Sequence, residues 1–79
     1  MAQTQIIANG TTKGTTSSPR TIAAGAVESL SITGVHGRCV VMVNDRQQGN
    51  AFSNGVQLTG PLTYYVMRVA GDCGCMVES

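Results

Sequence analysis

Apolar residues in this chain fall in short runs cut by Gly, Asn, Ser and Pro, and where a period is visible it is two. Leu30 and Ile32 alternate with Ser29, Ser31 and Thr33, the pattern of a strand with one wet face. Val56-Gln57-Leu58 alternates in the same way. Two stretches differ. Arg38–Asn44 is almost continuously apolar, which predicts a strand covered on both faces. Thr59–Val69 holds both tyrosines and a long β-favouring run, with Gly60-Pro61 near its start and Ala70-Gly71-Asp72 after it; breakers of that kind bound a strand. On it, Tyr65, Met67 and Val69 share one face and Tyr64, Val66 and Arg68 the other.

The remaining segments are shorter. Thr4–Ala8 is β-prone and meets Asn9-Gly10, a strong turn signal. TTKGTTSSPR, residues 11–20, has no apolar period and reads as an exposed loop or mobile arm lying against a neighbour. Thr21–Ala24, Ala51–Ser53 and Met76-Val77 are candidate short strands. Gly34-Val35-His36-Gly37 reads as a hairpin turn, and Asp45–Asn50 as a polar turn. Ala23–Leu30 contains helix formers, but Gly25 interrupts it and the spacing is not 3.6. The expectation is an all-β fold: a small antiparallel sandwich or barrel of six to seven short strands. Its organisation is an N-terminal strand and flexible arm or loop over 1–20, then a β-domain over 21–79.

Composition adds a size limit and a surface argument. A chain of 79 residues buries only about 60% of its unfolded surface and is marginal alone. Charged residues are 11% of the sequence, against roughly 25% in ordinary soluble domains; Gly, Ser and Thr take their places. A surface so poor in charge suits one that another molecule covers. The five Lys and Arg are dispersed among four acids, so no row of cations is available to neutralise phosphates, and nucleic-acid binding is not expected. No apolar run approaches the roughly 20 residues that span a bilayer. The N-terminus lacks a basic region followed by an apolar one, so no secretory signal is expected, and synthesis in the cytoplasm follows.

Candidate chemistry is thin. His36-x-x-Cys39 and Cys73-x-Cys75 together offer four residues of zinc-ligating type. Against that, Cys-x-Cys is uncommon at structural zinc, and buried cysteines are usually small core hydrophobes. A bridge from Cys39 to either Cys73 or Cys75 is an equal alternative in oxidising surroundings. The acids Glu28, Asp45, Asp72 and Glu78 are scattered and suggest no acid–base pair. Catalytic residues, cofactors and a metal are therefore not assigned. Phe52 with one tyrosine is a candidate sugar-stacking surface, but Tyr64 and Tyr65 point to opposite faces of a strand and cannot form one platform.

The opening MAQTQIIANG, the segment Ala23–Thr33 and the segment Leu58–Arg68 together resemble the small β-rich virion proteins of tailed bacteriophages, some of which decorate or cement the head. The resemblance lies in composition, strand order and turns; Cys73-Gly74-Cys75 departs from it. It implies a structural protein of the capsid surface that is not an enzyme and bridges major capsid protein subunits as a homo-oligomer, a dimer or trimer. The alternatives are a tail or head-fibre module contacting a host glycan, and a small zinc- or thiol-containing protein. Because two strands have two apolar faces, one face of the second, bearing Tyr64, Val66 and Arg68, is expected to lie against a neighbouring chain.

Overall fold

A computed structural model describes residues 3–79; Met1 and Ala2, on which part of the N-terminal expectation falls, lie outside the described residues. The expected all-β, antiparallel fold is observed. Six strands form one sheet: β1 (Gln3–Gly10), β2 (Arg20–Ile22), β3 (Val27–Val43), β4 (Arg46–Phe52), β5 (Gly55–Thr59) and β6 (Leu62–Glu78). The order is β1-β6-β3-β4, with β2 added to β6 and β5 to β3. The sheet is not closed into a barrel. Two of its strands are not short: β3 and β6 have 17 residues each and pair antiparallel from Ser29↔Glu78 to Met42↔Tyr65.

The length of β3 and β6 corrects two sequence expectations. Gly34–Gly37 does not reverse the chain, and Ala70–Asp72 does not end a strand. Both segments stay paired, His36 with Asp72 and Gly37 with Gly71, with register shifts on either side. The glycines bend the ladder instead of terminating it, as bulges do. Gly71 has φ +77°, and a methyl group placed on it would lie 2.5 Å from the Gly37 Cα. A methyl on Gly37 would meet the Cys73 sulfur and lie 2.7 Å from the Ala70 carbonyl oxygen. Two backbones in such close approach leave room for nothing larger than glycine.

Asp45–Asn50 is also corrected. The reversal is the two residues Asn44 and Asp45, both at positive φ, between the paired Val43 and Arg46. That is the geometry of a primed two-residue hairpin, which Asn and Asp tolerate. The polar residues after it form β4, an exposed edge strand.

Bending folds the sheet over itself. Tyr65 pairs with Met42 at one end of the long ladder and Ser29 with Glu78 at the other, yet the Tyr64 hydroxyl donates to the Glu28 carboxylate at 2.7 Å. The two halves therefore face each other, and the shortest dimension of the molecule is 19 Å, the depth of two packed layers. Leu30 and Val77 from one half, and Val41, Tyr64 and Val66 from the other, belong to a single buried cluster. Each such side chain contributes about 1.5–3 kcal/mol by leaving water.

Residues 11–19, expected as an exposed loop or a mobile arm, form a mostly exposed loop along the free side of β6, with Thr16 bridged to Met67. Backbone bonds run from Gly14 to the Arg68 carbonyl, from Arg68 to the Thr15 carbonyl and from Ser17 to the Val66 carbonyl, each 2.8 Å. The Val66 amide also donates to the Ser17 hydroxyl at 2.9 Å. The segment lacks apolar residues because its backbone and hydroxyls make the contacts.

Candidate functional site

The side chains expected to face a neighbour lie inside this chain. Tyr64, Val66 and Arg68 are 1%, 0% and 4% exposed, covered by residues 14–22 and by the opposite half of the sheet. Strand alternation put the three on one face correctly; the folding of the sheet decided that this face is internal.

Polar groups anchor that interior. Arg20 donates to Glu28 through Nε at 3.2 Å and Nη2 at 3.0 Å, a fork that fits a carboxylate. Tyr64 completes the set from below. The Arg20 hydrogen bond, aided by Tyr64 and opposed by burial, holds the Glu28 carboxyl below its ordinary range. Burial, and then the Glu28 charge, push the Tyr64 hydroxyl up. The trio ties β2, β3 and β6 together across the fold. A shallow cleft borders Arg20, but the guanidinium and the Tyr64 hydroxyl are both spent on Glu28, so the trio reads as a clamp.

Arg68 is a second clamp. Its Nε donates to the Cys73 carbonyl at 2.9 Å, Nη1 to the Thr12 carbonyl at 2.9 Å and the Thr15 hydroxyl at 3.3 Å, and Nη2 to the Ala8 carbonyl. These acceptors are neutral, and three segments of chain meet on one planar cation. Five donors in a fixed fork make arginine suited to this. Among the described residues no buried side-chain nitrogen or oxygen lacks a partner.

The four zinc-type residues are not brought together. Cys39, Cys73 and Cys75 are free and fully buried, whereas His36 is exposed at the bend. Among the described residues no group of three or more His, Cys, Asp or Glu could hold a metal ion. Burial, with the neighbouring thiols adding to it, pushes Cys39 up to about 12, and burial takes Cys75 to about 11; both therefore stay protonated as thiols. Phe52 and a tyrosine do not form a platform either. Phe52 packs on the core opposite Cys39, Tyr64 points inward and Tyr65 outward.

What remains is the outward face of the half-sheet formed by β3 and β6. Val40 pairs with Met67 and Met42 with Tyr65, and directly paired residues share a face. Val40 is buried yet does not belong to the central cluster; it lies under its neighbours on this outer side. Tyr65, Met67, Val69 and Met42 are half-buried. At the rim the Tyr65 hydroxyl donates to Asp45 at 3.0 Å, which raises the tyrosine's pKa. Sequence alternation contained this face, but nothing in it said which of the two faces would stay open. Beside it runs β4 with one charge, and on the other half-sheet β5 with none; among the described residues each is paired on one side only. Soluble proteins usually guard such edges with charge.

Comparison with protein-family models, with curated proteins and with solved structures finds no match to this chain.

Proposed function

We propose that this protein is a structural component of a virion shell, which seats on the major capsid protein and strengthens it by added contact. The observation that carries the reading is the outward face of β3 and β6. Met42, Tyr65 and Met67, packed over the buried Val40, present apolar, uncharged surface on the two longest and best-paired strands. A rigid, pre-formed face loses little entropy on docking, and Tyr and Met are among the residues enriched at protein interfaces. The weakly charged edges of β4 and β5 supply backbone groups that a neighbouring sheet can extend. The sequence resemblance to small head proteins of tailed phages supplies the kind of partner. A second copy of the chain beside the first on the shell is part of the same reading.

The test is the composition of the particle. Virions purified from the host that makes this chain should carry an 8.2 kDa band in fixed ratio to the major shell protein. Particles free of that band, or carrying it in only a few copies, would contradict the reading.

A further inference from the structure

The core holds three thiols, and the bend turns one of them back toward another. Cys39 on β3 and Cys73 on β6 are each 0% exposed and belong to the same buried cluster, whereas Cys75 pairs with Ile32, farther along the ladder from Cys39. The approach of Cys73 to Cys39 follows from the bend. Cys73 does not lie opposite Cys39 in the ladder; it pairs with Gly34. Its sulfur instead leans back along the strand, 3.7 Å from the Ala70 carbonyl oxygen and against Gly37. Ala70 is the partner of Arg38, the residue before Cys39. Cys75 shares the same inward face, but its distance from Cys73 is set by strand rise. Two residues of strand separate their Cβ atoms by about 6.6 Å, beyond the roughly 3.5–4.5 Å a disulfide spans.

We propose that Cys39 and Cys73 are an oxidisable pair that closes a disulfide across the bend, linking β3 to β6, while Cys75 stays a thiol. The oxidant is a small-molecule disulfide such as oxidised glutathione. One protein thiol, deprotonated, attacks a glutathione sulfur and displaces the first glutathione as its thiol. The second protein thiol attacks the mixed disulfide and releases the second. Two protein thiols are oxidised, two glutathione thiols appear, and the protons balance. Access is from the open groove of about 340 Å³ lined by His36, Gly37, Arg38, Ser53, Ala70 and Gly71, which reaches the two residues touching the Cys73 sulfur. Burial, which also raises the pKa of the Cys39 thiol, makes the reaction slow, so the chain stays reduced where glutathione is reduced and closes after release into oxidising surroundings.

The experiment uses the whole protein. It is held with oxidised glutathione, quenched in acid, unfolded in guanidinium with N-ethylmaleimide near neutral pH, and weighed. The expected product is a monomer about 2 Da lighter than the reduced chain before alkylation, with one alkylated cysteine in place of three. Fragmentation between Cys73 and Cys75 should place the link on Cys73. Cys75→Ser should form the same bridge and Cys73→Ser should not. The oxidised protein should melt more than about 5 °C above the reduced one, since the bridge closes a long loop. Three alkylated cysteines, a stable glutathione adduct, a link to Cys75 or a cross-linked dimer would each overturn the proposal; the wild-type mass alone decides even if a serine variant does not fold.

Discussion

The two faces of β6 between Leu62 and Val69 start from similar sequence and end in different work. Tyr64 and Tyr65 are adjacent, each with a hydroxyl bonded to an acid. Tyr64 meets Glu28, itself gripped by Arg20, at the centre of the molecule. Tyr65 meets Asp45 of the β3–β4 turn, at a wet rim. The same chemical contact is a structural clamp in one place and a surface detail in the other, because desolvation magnifies a hydrogen bond to a charge. A side chain's role in a small folded-over sheet is thus set by which layer its face joins, more than by its type.

Breaking the inner face should have the largest effect. Tyr64→Ser leaves a cavity and strands the Glu28 carboxylate without one donor, and should lower the unfolding free energy by about 4 kcal/mol. Urea denaturation measures this, with the midpoint falling at unchanged slope. Arg68→Met keeps similar volume but leaves the carbonyls of Ala8, Thr12 and Cys73 without their donor. It should cost about 3 kcal/mol and free residues 11–17, read as faster hydrogen exchange at the Arg68 and Ser17 amides. Equal melting of this variant and wild type would show that the cation is dispensable.

Acid and alkali sharpen the comparison with smaller effects. The folded Glu28 carboxyl titrates below its ordinary value of 4.5, so the unfolded chain takes up the proton first. The stability that Glu28 contributes is present above that value and is lost as pH falls through the folded one. Cys39, Cys75 and Tyr64 are shifted upward from 9.0, 9.0 and 10.0. Their contribution is complete below about pH 9 and is lost as pH rises through the folded values of the thiols, about 12 and 11. Melting temperature should therefore be flat between about pH 5 and 9 and fall on both sides. In Tyr64→Phe the alkaline fall should be shallower, which isolates the inner hydroxyl.

Much of this architecture was legible from period and punctuation. The alternation at Ser29–Thr33, at Val56–Leu58 and along Thr63–Val69 placed strands where they are, and it sorted Tyr64 from Tyr65 correctly. Glycine was the misleading signal. Gly34, Gly37 and Gly71 read as stops, yet they bend two continuous strands, because a local sequence cannot say whether a partner strand continues alongside. The polar residues 46–50 read as a turn for a related reason: an edge strand with little to bury lacks the apolar period. The face open to a partner was illegible, since it depends on the long-range fold that brings Glu28 over Tyr64. So were the four acceptors of Arg68, which come from three separate segments. The cysteine pair was half legible: the residue types were visible, but the choice between Cys73 and Cys75 waited on the bend.

The account rests on the outer face being a docking surface with little part in the fold. Tyr65→Ser removes a half-buried aromatic side chain at a wet rim and should change stability by no more than about 1 kcal/mol. The decisive measurement is the amount of Tyr65→Ser protein retained on purified particles relative to wild type, at matched melting temperature. The account predicts at least a tenfold loss of retention, about 1.4 kcal/mol of contact energy; retention equal to wild type would contradict it.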